Sequence, residues 1–207
     1  MRLGINGPNG SGKSLLARQL AAFFGYELIK EPIENNEYLS FFYENKDLFS
    51  YLGQNAFYAA MFTLMWNHKD QKDVIFDSTF YSNIIYTKLL HLEGYMNEHQ
   101  YQLSLEIAKE HISHLPKLDL EIVIRRPKNV LFQNVHHRNR EMEQGQDNYL
   151  SFHFDNFYLV AQEVYREFSI SQDNILILEA GDLKDLNEIS RIAGLIETRY
   201  NQIKEKE

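Results

Sequence analysis

The stretch Gly7-Pro8-Asn9-Gly10-Ser11-Gly12-Lys13-Ser14 is a complete G-x-x-x-x-G-K-S phosphate-binding loop. Each position has a physical task. Glycines at 7, 10 and 12 let the backbone take φ > 0 and bring its N–H groups close to a polyphosphate. Lys13 reaches the β- and γ-phosphates, and Ser14 offers a hydroxyl to the Mg²⁺ that neutralises them. The whole loop, with Asn9 and Ser11 between the glycines, is therefore the candidate nucleotide site. Its flanks agree with that reading. Leu3-Gly4-Ile5 precedes it as a strand, and Leu15 to Phe24 follows as a helix whose N-terminal dipole favours an anion.

Outward from the loop, four more apolar runs read as strands. With the first they are 2–6, 26–30, 73–77, 119–124 and 174–178. Helical patterns separate them, which predicts an α/β fold: a five-stranded parallel sheet covered by helices on both faces. Residues 37–68 are aromatic-rich and read as one or two helices walling a pocket. Further helices are expected over 80–96, 97–115, 128–135 and 185–204, the last beginning near Asp185. The four prolines, at 8, 32, 116 and 127, fall at element boundaries. No repeat or linker interrupts the chain, so residues 1–207 are expected to form a single domain.

Composition narrows the class of function. Hydrophobic residues make up 44% and aromatics 14%, which suits a globular chain. The net charge of −8 argues against general affinity for nucleic acid or anionic membrane. No apolar stretch approaches the roughly 20 residues of a membrane span. The phosphate loop begins within the first ten residues, so no signal peptide is expected. The absence of cysteine excludes disulfides and thiolate metal sites and fits a reducing cytoplasm.

Other residues carry chemistry by position. Glu31 ends the second strand, just before Pro32, and could take a proton from a hydroxyl that attacks a γ-phosphate. Alternatively it is a solvated loop glutamate. Asp77, after Val74-Ile75-Phe76, can face Mg²⁺ directly or through water, or cap the next helix with Ser78 or Thr79. Arg138 and Arg140 cannot share a helix face cleanly, but on a mobile loop both could fold over a triphosphate. The plainer alternative is a solvated helix end. The histidine pairs His111/His114 and His136/His137 show no acidic partner at ligand spacing, so surface or core histidines are expected there.

Taken together, the sequence resembles the deoxynucleoside kinase family, which includes deoxycytidine, deoxyguanosine and deoxyadenosine kinases. The resemblance runs from the phosphate loop to Asn174-Ile175-Leu176-Ile177-Leu178. Glu31-Pro32 matches the family's Glu-Pro motif, whose glutamate is the general base on the 5′-hydroxyl. Tyr43 matches a tyrosine that contacts the sugar 3′-hydroxyl, and Gln54, eleven residues later, the glutamine that bonds the base. Arg138-Asn139-Arg140-Glu141-Met142-Glu143-Gln144-Gly145 resembles the lid motif R-G-R-x-E-E-Q-G. That would make Arg138 and Arg140 phosphate ligands and Glu143 a sugar contact. Tyr149-Leu150 resembles the pair that follows the lid.

The resemblance implies a P-loop kinase fold with an Arg-containing lid, ATP and Mg²⁺, and a homodimer. Catalysis would fall to Glu31, Lys13, Arg138 and Arg140, and metal binding to Ser14 and Asp77. The acceptor would be a nucleoside held by Glu31, Tyr43, Gln54, Asn83 and Glu143. Departures concentrate on the acceptor side. Ser78 stands where the family has an arginine in D-R-S or E-R-S; Met61 replaces a base-reading arginine, and Asn83 its aspartate partner. Asn134 replaces a lid-helix arginine, and Ile33-Glu34-Asn35-Asn36 lacks the usual tryptophan. Each loss of Arg removes a fixed charge and a bidentate fork. With Asn83 in place of an acid, a purine is favoured, adenine first. The alternatives are transfer to another acceptor such as a nucleotide, or a regulatory protein that binds ATP or a nucleoside without transfer.

Overall fold

Period-two alternation places the strands before any helix is considered. Leu3, Ile5, Ile75, Ile122 and Ile124 point to one side of the sheet, and Val74, Phe76 and Val123 to the other. The computed structural model describes residues 1–32 and 38–206. Its strands are β1 (Arg2–Asn6), β2 (Glu27–Ile29), β3 (Val74–Asp77), β4 (Leu120–Arg125) and β5 (Ile175–Glu179). They form one parallel sheet in the order β2-β3-β1-β4-β5. All five strands fall on the predicted runs, within one residue at most ends.

Helices close both faces. On one side α1 (Lys13–Phe24) and α8 (Leu186–Lys204) pack Leu16, Leu20, Ile192 and Ile196 against the first set of strand residues. On the other, α3 (Lys46–Asn67), α4 (Phe80–Leu92), α5 (Glu98–His114) and α7 (Asp147–Glu167) bury Tyr58, Ile84, Leu105 and Phe157 against the second. A smaller cluster joins α2 (Tyr38–Glu44) and α6 (Lys128–Arg138) to α7 through Phe42, Leu131, Val135 and Phe154.

Boundaries differ from expectation where a cap decides them. Of the one or two helices expected over 37–68, the described residues form two, because Asn45 accepts from the Leu48 amide (3.2 Å) and starts α3 afresh. The expected helix at 80–96 stops at Leu92. Gly94 takes φ 93°, and Asn97 with Gln100 then forms a reciprocal capping box for α5. Asp185 caps α8 by accepting from the Asn187 amide (2.9 Å). The stretch Ile33–Asn36, where the family's tryptophan is missing, lies outside the described residues.

Because β1 has β3 on one side and β4 on the other, the strand order reverses at its carboxyl end. Ligands of open α/β sheets bind at such a switch point. The phosphate loop leaves β1 at that spot.

Candidate active site

The loop's backbone is shaped by its glycines. Gly10 has φ 78°, and a Cβ there would stand 2.4 Å from the Leu131 carbonyl oxygen of α6. Gly12 has φ 93° and caps α1, which carries no side-chain cap and no acid in its first turn. The amides opening α1 are thus left for an anion. Lys13 Nζ donates to the Gly7 carbonyl (2.9 Å). Two further side chains brace the loop from outside it. Asn134 of α6 donates to the Gly10 carbonyl (2.7 Å), and Arg126 donates to those of Ser11 (3.0 Å) and Gly181 (2.8 Å). Asn134, a departure from the family pattern, therefore ties α6 to the loop.

Beside the loop is a pocket of about 100 Å³ that brings together Lys13, Glu31, Tyr43, Gln54, Asn83, Arg140 and Glu143. Asn9, Tyr86 and Tyr149 share its wall. With Asn9, eight of the candidate site residues named from sequence thus meet across elements far apart in the chain. Burial raises the Glu31 pKa; the Lys13 ammonium opposes this and the Asp77 carboxylate adds to it. Burial also lowers Lys13, against the pull of Glu31 and Asp77. A carboxylate raised toward the working pH and held near a cation is suited to accept a proton. Burial raises the Tyr43 pKa and the Glu143 carboxylate, which lines the same pocket, adds to it.

The arginine segment is a helix end followed by a turn. Arg138 is the last residue of α6, Asn139 turns the chain with φ 48°, and Arg140 begins a 3₁₀ turn at Glu141–Glu143. The two arginines so leave the helix in different directions. Arg138 grips the buried Glu143 carboxylate with two donors, Nε to Oε2 at 2.8 Å and Nη2 to Oε1. Arg140 instead faces the pocket.

At the carboxyl end of β3, Asp77 is buried opposite Ile5 of β1. Thr79 occupies the cap position of α4 without a side-chain capping bond, and Asp77 Oδ1 has no partner among the described residues. Asp77 is not spent as a cap. A buried carboxylate oxygen left free, with the exposed Ser14 hydroxyl in the first turn of α1, is a donor set that fits a hard cation such as Mg²⁺.

Several contacts were not foreseen. Tyr86 of α4 donates its hydroxyl to Asn9 Oδ1 (3.0 Å), linking the pocket wall to the phosphate loop. Beneath it, buried His153 bonds Glu93 (3.1 Å) and lies against the rings of Tyr86 and Tyr149. Asn6, Thr79, Glu121 and Tyr165 form a buried polar cluster. Its one sequence signal is a glutamate inside the apolar strand Leu120-Glu121-Ile122-Val123-Ile124. The histidine pairs do find acids: His114 meets Glu110 (3.1 Å) and His136 meets Asp147 (3.0 Å). Each has a single carboxylate, and no group of three metal-ligating side chains occurs among the described residues.

Residues 3–197 match the family described as “Deoxynucleoside kinase”. The chain is 30% identical over 152 residues to the deoxyguanosine kinase of Bacillus subtilis (strain 168), covering 68% of each. It is 24% identical over 192 residues to the deoxyguanosine kinase of Dictyostelium discoideum, covering 88% of this chain and 65% of that one. Among solved structures, deoxyadenosine kinase from M. mycoides with bound dATP is similar at TM-score 0.80 and 20% identity, over 95% of this chain and 100% of that. The same enzyme with bound dCTP gives 0.77, over 96% of this chain. At that identity the likeness speaks to fold. The five-stranded parallel sheet with its flanking helices is the P-loop kinase fold of those proteins. Among the described residues no helix is long and apolar enough to cross a membrane.

Proposed function

The chain belongs to the deoxynucleoside kinase family of ATP-dependent phosphotransferases, and on that premise we propose that it phosphorylates the 5′-hydroxyl of a purine deoxynucleoside, deoxyadenosine first. The observation that carries this reading is the one pocket that Glu31 and Lys13 line together with Gln54, Tyr43 and Glu143. Glu31 takes the hydroxyl proton, its affinity for protons raised by burial. Lys13 and the loop amides hold the triphosphate. Arg140, and Arg138 once released from Glu143, stabilise charge on the transferring phosphoryl group. Ser14 and Asp77 would hold Mg²⁺, which supplies neutralising charge to the phosphates when bound.

On the acceptor side, Tyr43 and Glu143 hold the sugar, while Gln54 and Asn83 meet the base. Gln54 carries both an amide donor and a carbonyl acceptor and so can pair with an adenine edge. Curated relatives named as deoxyguanosine kinases support a purine acceptor, and the structural neighbours are named as a deoxyadenosine kinase. The pocket's 100 Å³ is below the roughly 300–1,000 Å³ of ligand sites, so entry of a nucleoside needs the 138–143 segment to shift. The same reading includes a homodimer in the cytoplasm. Exposed Phe41, Leu48 and Leu52 on α2 and α3 supply apolar surface for such an interface.

The test is turnover with ATP against deoxyadenosine, deoxyguanosine, deoxycytidine and the corresponding monophosphates. Glu31→Gln is expected to lower kcat by about 10²- to 10⁴-fold while ATP affinity stays within about twofold. Full turnover in that variant overturns the role of Glu31. Transfer only to monophosphates would instead favour another acceptor, for which the missing positive charge at Ser78 is the motive. ATP binding without any transfer would favour a regulatory protein.

A further inference from the structure

One lysine of the chain is held by aromatic rings and an amide. Lys46, the first residue of α3, is half-buried. Its Nζ sits over the rings of Tyr149 (5.1 Å to the centroid), Tyr43 (5.7 Å), Phe42 (5.9 Å) and Tyr95 (6.0 Å). Those rings come from α2, the turn after α4, and α7. The same Nζ donates to Gln146 Oε1 at 2.6 Å, a neutral amide. Burial lowers the Lys46 pKa, with the Glu93 carboxylate opposing the shift.

Holding a charge there is costly, because the ammonium gives up water. A methionine of similar length would pack on the same rings without that cost. What the ammonium adds is direction. It draws ring faces toward one point, and its bond to Gln146 fixes a further segment against them. Both parts reach the reaction pocket. Tyr43 and Tyr149 line it, while Lys46 stands behind that wall. The Gln146 amide in turn donates to the Glu143 carbonyl (3.3 Å), and Glu143 lines the pocket as well. Lys46 thus joins, from behind, the two groups assigned above to the sugar.

We propose that Lys46 is a positioning residue for the acceptor, which sets Tyr43 and Glu143 relative to each other so that one sugar hydroxyl meets both. This role rests on the nucleoside reading above, though not on which base is preferred. Among the described residues, the partners of Lys46 include neither Gln54 nor the phosphate loop. Its effect therefore falls on the sugar and spares base choice and ATP.

The experiment is steady-state kinetics on the full-length protein. The acceptors are the best substrate among deoxyadenosine, deoxyguanosine and deoxycytidine, and its 2′,3′-dideoxy counterpart, which lacks the hydroxyl in question. Lys46→Met keeps the length and loses the charge. It should raise KM for the deoxynucleoside about tenfold, with kcat and KM for ATP within about twofold. The dideoxy counterpart should lose little, so the ratio of kcat/KM between the two acceptors should fall about fivefold. A merely structural role would weaken both acceptors alike. Lys46→Arg keeps a cation and a donor for Gln146, and should hold the ratio within about twofold of wild type. Gln146→Met should lower the ratio as Lys46→Met does, and the double variant should go no lower. An unchanged ratio in Lys46→Met or Gln146→Met overturns the role of Lys46. So does equal loss with both acceptors, or a Lys46→Arg variant no better than Lys46→Met. If Lys46→Met does not fold, the Gln146→Met and Lys46→Arg arms decide. A wild type that phosphorylates none of the three deoxynucleosides overturns the nucleoside reading itself, which the other outcomes leave standing.

Discussion

The phosphate-loop half of the site and the acceptor half are built from different materials. The loop presents backbone amides fixed by positive φ at Gly10 and Gly12, and it is braced by side chains that bond its carbonyls, Arg126 and Asn134. The acceptor half presents side chains: Glu31, Tyr43, Gln54 and Asn83 converge from four different segments. Backbone geometry tolerates changes in neighbouring residues as long as the turn survives. Side-chain recognition does not, because each substitution alters a donor, an acceptor or a charge. Departures from the family pattern touch both halves: Asn83 lines the pocket, whereas Asn134 braces the phosphate loop. At position 61 the change is complete: Met61 is fully buried in the core of α3, where an arginine would have no aqueous partner.

The comparison can be broken most directly by exchanging damage between the halves. Lys13→Ala should lower turnover on the order of 10³-fold with every acceptor and weaken ATP binding, because it removes the charge that holds the donor phosphates and that offsets the burial of Glu31. Gln54→Leu should lower kcat/KM for the preferred deoxynucleoside by about 10²-fold, leave KM for ATP within twofold, and flatten the ranking of bases. Steady-state kinetics with two purines and one pyrimidine checks both. If Gln54→Leu preserved the base ranking, the acceptor half would not be read through side chains as argued.

A second effect concerns the floor the two halves share. Glu121 bonds Thr79 in the turn that carries Asp77, and burial pushes its pKa up to about 8 from an ordinary 4.5. The folded protein therefore holds a proton that the unfolded chain releases between these values. Its contribution to stability is present in full below about pH 4.5 and is lost as pH rises through about 8. One such group changes stability by at most about 1.4 kcal/mol per pH unit. Urea unfolding from pH 5 to 8.5 should show wild-type stability falling with pH, and Glu121→Gln should flatten that slope. An unchanged slope would mean that Glu121 does not keep its proton in the folded protein over this range.

How much of this was legible follows the same division. The phosphate loop, the five strands and the placement of Asp77 at a strand end were readable, because periodicity and glycine spacing are local properties of the sequence, while Glu31, expected to end the second strand, lies two residues beyond Ile29, where β2 stops. The position of the break at Asn45, within a segment expected to hold one or two helices, and the end of α4 at Leu92 were not, since a cap decides them and several residues nearby could have served. The pairing of Arg138 with Glu143 was hidden for another reason. Both were assigned to ligands, and spacing alone does not show that they first satisfy each other. Glu121 was visible only as an acid in an apolar strand. Its partners Asn6, Thr79 and Tyr165 come from segments that no local pattern brings together.

The smallest expected effect tests whether the two halves are separate at all. Tyr86 belongs to the acceptor wall, yet its hydroxyl donates to Asn9 of the phosphate loop at 3.0 Å. Tyr86→Phe keeps the ring and its packing on Phe157 and His153 and removes only that bond. A single neutral hydrogen bond contributes about 0.5–1.5 kcal/mol, or roughly two- to tenfold in an equilibrium constant. KM for ATP should rise by that factor even though the altered side chain lies among acceptor residues, and KM for the nucleoside should change less. A rise confined to the nucleoside would make the Asn9 contact incidental. Equal rises in both would mean that Tyr86 couples the halves, so that a nucleoside in the pocket tightens the loop around the donor phosphates. That coupling must then appear reciprocally as nucleoside-dependent ATP affinity in the wild type, and Tyr86→Phe should abolish it.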